Sequence, residues 1–387
     1  MSALVAALAA EAPTRSAGPL VVHVVRQYAP NRGGLEDVVA NICQQSLKRN
    51  YRVRVVTCNT LFADPGRKLS EREAIDGVEV VRIPWRGSSR YPIAPQVLRH
   101  LADADLVHVH AIDFFFDALS LARFVHRKPL IATTHGGFFH TRKFRRAKEI
   151  WFRTLTRLSA GGYRAIVSCS QADARLFSTI ASGRLALIEN GTDTHKFADA
   201  ASIVPQRRMV TIGRFSANKR LDRLLDGMAA LAASQPGWHL DIAGAPSDFS
   251  AADLQREIDA RNLAGNVALH VSIDNAAIRD LIAKASYFVS ASEYEGFGLV
   301  AVEAMSAGLL PVLQPNEAYR HLAARHRAIT LCDFTRAEGF AETMSECFER
   351  LSSGQLPARR TIVDQAKDYS WDTVADKYFE IYERVLG

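Results

Sequence analysis

Two stretches of this chain each alternate short apolar runs with segments of helical periodicity, and that alternation leaves little choice of architecture. In the first stretch the runs are Leu20–Val25, Arg52–Thr57, Val78–Arg82, Leu106–His110, Leu130–Thr134, Ala165–Cys169 and Leu185–Glu189. In the second they are Met209–Ile212, Leu240–Ala243, Val267–Val271, Tyr287–Ser290 and Leu310–Leu313. Strands that are apolar throughout and spaced by helices belong to parallel sheets covered on both faces. The expected fold is therefore α/β, with two doubly wound domains and a cleft between them. A chain of 387 residues suits two domains of about 150–200 residues each. The break is placed in the small, polar, proline-containing segment Ala198–Arg208. This predicts a frayed tail over 1–18, a first domain over 19–200, a second over 201–370, and a terminal helix within 371–387.

Several function classes fall away at this level. The five cysteines, Cys43, Cys58, Cys169, Cys332 and Cys347, are scattered and form no CxxC pair, so neither a zinc site nor a disulfide framework is indicated. That usage fits a reducing, cytoplasmic compartment. No apolar run approaches the roughly 20 residues that span a bilayer. The opening Met1–Ala10 is weakly apolar, lacks a basic start and runs into Glu11, so it reads as a tail and not a signal peptide. The net charge of +7 favours an anionic partner: nucleic acid, an anionic membrane or a phosphorylated substrate. No zinc-finger, RRM or homeodomain pattern supports nucleic acid.

The densest motif is Ser292-Glu-Tyr-Glu-Gly-Phe-Gly-Leu-Val-Ala-Val-Glu303, in which Glu295 and Glu303 stand eight positions apart. Glu295 lies on a glycine-flanked turn, and Glu303 lies about one turn inside an apolar helix that starts near Gly298. A helix N-terminus attracts phosphate, whereas carboxylates suit hydroxyl groups. Together they describe a pocket for a molecule that carries both phosphate and hydroxyl groups, such as a nucleotide sugar. In Gly213-Arg-Phe-Ser-Ala-Asn-Lys-Arg220, Arg214 stands at a strand end and Lys219 near a helix start, an arrangement suited to a diphosphate. Taken alone, the same pair reads equally well as solvated loop charge. It is not a P-loop, because GxxxxGK[ST] is absent.

In the first half, Gly33 and Gly34 follow the first strand, where glycines permit unusual φ angles and close backbone approach to a ligand. The segment alone is also an ordinary tight turn. His135 stands where a strand gives way to Gly136-Gly137, a place from which an imidazole can donate a hydrogen bond or proton. A partly buried structural histidine is the competing reading. His108 and His110 share one strand face; strand packing with a sugar contact from His110 is preferred over a metal, for which further ligands are not fixed. Arg142–Arg157 carries seven basic residues and one acid, with Phe144, Ala147, Trp151, Leu155 and Leu158 at helical spacing. Arg142, Lys143, Arg145, Arg146 and Trp151 suit an anionic membrane surface, and a core-packing helix with a basic outer face stands beside that reading. Asn190-Gly-Thr-Asp193 reads as a structural turn at the hinge.

Taken in order, Gly33-Gly34, the His135 loop, Asn190-Gly-Thr-Asp193, Gly213-Arg214 with Lys219, and Glu295 to Glu303 with Gly308 resemble the retaining GT-B glycosyltransferases of glycosyltransferase family 4. The resemblance spans nearly the whole chain. The first half is also similar to mannosyltransferases that build bacterial exopolysaccharide repeat units.

The resemblance implies two Rossmann-like domains facing across a deep cleft, with the C-terminal helix crossing back to the first. It implies that Arg214 and Lys219 hold the donor diphosphate and stabilise the leaving nucleoside diphosphate. Glu303 would bind ribose hydroxyls and Glu295 the donor sugar, while the amides of Phe297, Gly298, Leu299 and Val300 touch phosphate. Gly33 and Gly34 would approach the diphosphate, and His135 would assist the transition state. No cofactor and no metal at the reacting centre are implied. The implied reaction moves a hexose, mannose from GDP-mannose, to a polyprenyl-diphosphate-linked saccharide such as cellobiosyl. It would take place at the cytoplasmic face of the bacterial inner membrane, with the protein bound peripherally. Alternatives are a UDP-sugar-dependent transferase of lipopolysaccharide or capsule assembly, a GT-B-like nucleotide-sugar epimerase, and a non-catalytic nucleotide-sugar sensor.

The sequence also departs from the family pattern. The usual Lys-Gly is Lys219-Arg220, a glycine usual near the end of Val267–Val271 is replaced in the neighbourhood of Ser272, and Gln314-Pro-Asn-Glu317 replaces a Gly-Gly.

Overall fold

A computed structural model of the chain describes residues 18–136 and 145–387. The chain divides into two units, Met1–Glu189 with Ala375–Gly387, and Asn190–Val374. Every strand read from the sequence is present, with ends displaced by no more than two residues. The expected tail lies outside the described residues except for Gly18.

The first unit is built on an eight-stranded sheet among the described residues. Its first strand, Leu20–Val24, is buried along its whole length, as helices on both faces require. From it the chain steps outward through Arg52–Cys58 and Val78–Ile83. It then returns to the opposite flank with Leu106–His110 and continues through Leu130–Thr133, Ala165–Ser168 and Leu185–Leu187. These pairs are all parallel; the edge strand Arg72–Ile75 adds antiparallel to Val78–Ile83. The reversal of direction puts a switch point between Leu20–Val24 and Leu106–His110, where connections leave to opposite faces and a crevice opens. Register there sets His23 beside His108. The terminal helix Trp371–Leu386 begins in the second unit and from Ala375 onward groups with the first. Buried Tyr378, Phe379, Ile381 and Tyr382 fasten it there. Phe379 and Ile381 each contribute about 1.5–3 kcal/mol of apolar burial.

The second unit carries six parallel strands among the described residues. In spatial order they are Val267–Val271, His239–Gly244, Arg208–Ile212, Tyr287–Ser290, Leu310–Leu313 and Thr330–Leu331. Its switch point lies between Arg208–Ile212 and Tyr287–Ser290, and the motifs Gly213–Arg220 and Ser292–Glu303 follow those two strands directly.

Three expectations need correction. The break between units falls at Glu189/Asn190, ahead of Ala198–Arg208. Backbone bonds from Thr192 N to Tyr369 O (2.8 Å), Asp199 N to Ser306 O (3.0 Å) and Ala201 N to Ala307 O (2.8 Å) tie this stretch to the second unit. Polar composition signals a loop but not the body on which it lies.

The short strands Asp64–Lys68, Arg72–Ile75, Arg86–Ser88 and Tyr91–Ile93 escaped the sequence reading, because they are mostly exposed and lack an apolar run.

The basic segment buries a different face from the one its periodicity indicates. Helix Arg145–Trp151 passes into a π-helical turn, Phe152–Thr156, before Arg157–Ala160. The wider turn shifts the phase. Phe152, Thr156, Ser159 and Ala160 face the core, while Ala147, Trp151 and Leu158 are exposed along with Ile150. Arg142 and Lys143 lie outside the described residues, as does the side chain of Arg145. Arg146 is exposed.

Candidate active site

In the second unit, the chain leaves Arg208–Ile212 through Gly213 at φ +158°, where an added Cβ would press on the Lys219 side chain at 3.2 Å. The glycine therefore lets Lys219 fold back over the strand end. From the turn Ala217–Lys219, its Nζ donates to Glu295 Oε1 at 2.6 Å. Both side chains are largely buried, 20 % and 16 % exposed. Tyr319 stands over the same carboxylate, its hydroxyl 3.3 Å from Glu295 Oε1 and 3.0 Å from Ser290 Oγ. Burial, with the Glu295 charge next to it, raises the phenol pKa, so the hydroxyl stays a donor. Arg214, Lys219, Tyr319, Ser290, Ser292 and Val300 line one cavity. The residue Arg214 is exposed there, and while its carbonyl accepts from Ser216 N at 2.8 Å, the Arg214 side chain makes no hydrogen bond or ion pair among the described residues.

The helix Leu299–Ala307 runs between two left-handed glycines, Gly298 at φ 72° and Gly308 at φ 90°. A Cβ at Gly298 would meet the Tyr319 ring at 2.9 Å, so both conformation and space call for glycine. The first-turn amides, Leu299 and Val300 among them, have no helical acceptor and form a ready anion site. Glu303, in the next turn, accepts from Thr192 Oγ1 at 2.8 Å, and Lys196 Nζ lies 3.7 Å from its other oxygen. Glu295 and Glu303 thus have separate partners. The Asn190–Asp193 turn does more than expected, because its Thr192 hydroxyl holds Glu303. Lys196, Thr192 and Tyr319 were missed in sequence reading; their roles follow from tertiary proximity and leave no motif.

Two departures from the family pattern acquire a physical meaning. Arg220 sits at φ 49° and Ser272 at φ 51°, both in the left-handed region that glycine favours. Arg220 is held there by Asp222 and Glu293, at 2.6 Å each. Ser272 N–H bonds Gly244 O at 2.8 Å.

In the first unit, Gly33 is extended (φ −176°) and caps the helix Gly34–Lys48. Neither Gly33 nor Gly34 adopts a positive φ, so the unusual-angle expectation fails. A Cβ would meet Glu36 Oε2 at 2.6 Å at Gly33 and open space at Gly34.

His135 itself is left-handed, at φ 51°. A non-glycine residue there costs about 1–2 kcal/mol, and such strain gathers at functional sites. Asp173 braces the turn on both sides, accepting from Thr134 Oγ1 and from Gly136 N, each at 2.9 Å.

His135 Nε2 lies 2.9 Å from His110 Nδ1, and His110 Nε2 lies 2.9 Å from His23 Nδ1. His110 is wholly buried with both nitrogens engaged, so the expected sugar contact from it does not stand. His108 is bound at 2.7 Å on each side, to Tyr382 Oη and Thr133 Oγ1. Burial keeps these rings neutral. It holds His23 at about 3 and His108 and His110 well below the usual range. His135 is held at about 3 by burial and then by the nearby Arg26 guanidinium. One nitrogen each of His23, His108 and His110 falls within 4.8 Å of the others. The hydrogen bonds of His108 and His110 use all four of their nitrogens, which leaves no set of free lone pairs for a tetrahedral ion. Arg26 and His23 were not singled out in the sequence; a strand-end arginine and an apolar-strand histidine carry no signal until strand order is known.

Two Rossmann-like units, one with a cation–carboxylate pair beside a glycine-capped helix at its switch point, define a glycosyltransferase of the GT-B fold. The family description "Glycosyltransferase Family 4" matches residues 32–196, and "Glycosyl transferases group 1" matches residues 194–367. The chain belongs to glycosyltransferase family 4 and is a hexosyltransferase. It is 43% identical, over 95% of its length and 93% of the relative's, to the GDP-mannose:cellobiosyl-diphosphopolyprenol alpha-mannosyltransferase of Komagataeibacter xylinus. It is 40% identical to the enzyme of the same name from Xanthomonas campestris, over 95% and 97% of the two chains. Among solved structures, a glycosyltransferase from Rickettsia africae matches with TM-score 0.71 at 16% identity, over 95% and 99% of the two chains. Sucrose-phosphate synthase from Thermosynechococcus elongatus matches with TM-score 0.66 at 16% identity, over 95% and 98%.

Proposed function

We propose that this chain transfers mannose, with retention of anomeric configuration, from GDP-mannose to cellobiosyl diphosphopolyprenol during exopolysaccharide repeat-unit assembly. The observation that carries this reading is the 43% identity, over almost the full length of both chains, to an enzyme named for that reaction. In this reading Arg214 and Lys219 hold the donor diphosphate and take up the charge that grows on the leaving group. The amides from Phe297 to Val300 add the helix N-terminus to that task. Glu295 meets hydroxyls of the transferred sugar, and Glu303, oriented by Thr192, meets the ribose. Gly33 and Gly34 leave a helix N-terminus open to phosphate, and His135 assists the transition state. Two cations and a helix dipole supply the electrostatic stabilisation that a divalent ion supplies elsewhere, so no metal is required at the reacting centre.

A peripheral position on the anionic inner face of the bacterial membrane belongs to the same proposal. Two features support it. Exposed Ile150, Trp151 and Leu158 are interspersed with exposed Arg146, Arg153 and Arg157, and exposed Phe124 and Val125 are followed by Arg127. Apolar side chains among basic ones suit an anionic lipid surface. No helix among the described residues is long and apolar enough to cross a membrane.

The deciding experiment incubates the purified chain with radiolabelled GDP- and UDP-sugars, with and without polyprenyl-diphosphate cellobiose in vesicles. Label moving from GDP-mannose to lipid is the expected result. Transfer from a UDP-sugar, conversion of donor without lipid, or binding without turnover would overturn the proposed reaction.

A further inference from the structure

His23, His110 and His135 form a continuous hydrogen-bonded row, with both links at 2.9 Å. The first two are rigidly held in adjacent buried strands, and the third stands on the braced turn after the next strand. We propose that His23 and His110 are positioning residues that set the tautomer of His135, so that its Nδ1 carries the proton and His135 serves as a hydrogen-bond donor to substrate. The inference rests on the assignment of His135 to the transfer reaction.

A neutral imidazole has one N–H and one lone pair. The row therefore has two arrangements only. In one, His23 Nδ1–H donates to His110 Nε2, and His110 Nδ1–H donates to His135 Nε2. His135 then carries its proton on Nδ1. In the other, both bonds point the opposite way, and His135 Nδ1 is a bare lone pair. The far end of the row decides between them. His23 Nε2 is buried and has no hydrogen-bond partner among the described residues. The first arrangement leaves it an unused lone pair; the second strands an N–H away from any acceptor. Orphaned buried N–H groups are rare, and unused acceptors are less so.

His108 cannot change this balance. Both its nitrogens are taken by Thr133 and Tyr382. Burial keeps the rings neutral, joined at His135 by the Arg26 charge, which preserves the single proton per ring. Among the described residues His135 Nδ1 has no partner, so it is the nitrogen left for substrate. Protonated, it can donate to an oxygen that gains charge in the transition state; it cannot act as a base.

Nitrogen-15 NMR of the full-length protein labelled at histidine reads each ring nitrogen as protonated or bare, with assignments from His135→Asn and His110→Asn. Wild type is expected to show His135 bare at Nε2 and protonated at Nδ1, with His23 protonated at Nδ1. His23→Asp puts a carboxylate, an acceptor, in place of the Nδ1–H donor, so His110 must turn its proton to Nε2. His135 should then populate the Nε2–H tautomer, and kcat for transfer should fall about tenfold or more with donor KM little changed. His23→Phe offers neither donor nor acceptor and leaves His110 Nε2 an unused lone pair, so it should keep the wild-type tautomer and most of the rate. A wild-type His135 protonated at Nε2 overturns the proposal, and this reading does not depend on whether His23→Asp folds. A His135 tautomer that is unmoved by His23→Asp also overturns it. A tautomer that shifts while the rate holds supports the row and instead overturns the place of His135 in the reaction.

Discussion

Lys219 Nζ lies 2.6 Å from Glu295 Oε1, so the cation assigned to the donor diphosphate and the carboxylate assigned to the donor sugar hold each other in place. The pair comes from loops after two neighbouring strands, Arg208–Ile212 and Tyr287–Ser290. Their low exposure makes the contact more than a surface ion pair, because removing one member leaves the other poorly solvated.

Lys219→Ala is expected to lower kcat about 10²-fold, the cost of one preorganised contact to a charge that develops in the transition state. Glu295→Gln should also lower it. The double variant should lose less than the product of the two, with a coupling of about 1–3 kcal/mol, because each single variant already breaks the pair. Steady-state kinetics on all four proteins check this, and independent, multiplicative losses would refute it.

Arg220 and Ser272 carry left-handed backbone without being glycine. Ser272→Gly should raise stability by up to about 1 kcal/mol, seen as a higher urea midpoint at unchanged m. Arg220→Gly gains similarly but loses its exposed pairs with Asp222 and Glu293, each worth about 0–1 kcal/mol, so the net change should be small. Arg220→Ala, which keeps the strain and loses the pairs, should be the least stable of the three.

Acid should destabilise the first unit well above the usual carboxylate range. His23, His108, His110 and His135 stay neutral when folded, whereas unfolded histidine titrates near 6.5. Below pH 6.5 the unfolded chain therefore binds protons that the folded chain refuses. The stability these rings confer is full above that pH. It falls by about 1.4 kcal/mol per pH unit per ring as pH drops, and for His23 and His135 the loss continues down to about 3. Asp113 works in the opposite sense. Burial raises it from 3.8 to about 6, so the folded protein holds a proton there that the unfolded chain has released. Taken together, these four rings and Asp113 should take up about three protons on unfolding at pH 5, measurable from the pH dependence of the denaturant midpoint. A flat profile from pH 7 to 5 would contradict the buried neutral row.

Charge reversal is not needed to test the membrane surface. Arg146→Gln, Arg153→Gln and Arg157→Gln combined should weaken binding to phosphatidylserine vesicles by about 3 kcal/mol, roughly a hundredfold, at about 1 kcal/mol per charge. Trp151→Ala should weaken it further without changing the folded core, since Trp151 is exposed. Sedimentation with vesicles measures both, and equal binding of all variants would remove this face from the proposal.

Much of the fold could be read along the chain because its strands are buried on both faces and so are apolar without interruption, as in Leu20–Val24. The turns and the helix start that bring Lys219, Glu295 and Glu303 together in the second unit were also legible. Gly298, Glu295, Glu303 and Lys219 all lie close to turns whose glycines are demanded locally, by a positive φ or by the space a Cβ would fill. The apolar face of the basic segment was misassigned because a single π-helical turn, Phe152–Thr156, moves the phase, and periodicity assumes a uniform helix.

Strand positions, helix starts and the identity of the charged residues at strand ends were set by the sequence alone, because each depends on neighbours a few positions away. Which of those residues meet was decided by tertiary structure. His23 reaches His110 across 87 positions, and Thr192 reaches Glu303 across 111. These contacts depend on strand order and register in a sheet that reverses direction at its first strand. A hydrogen bond acts over about 3 Å, so a row of three imidazoles exists only once that register has been chosen.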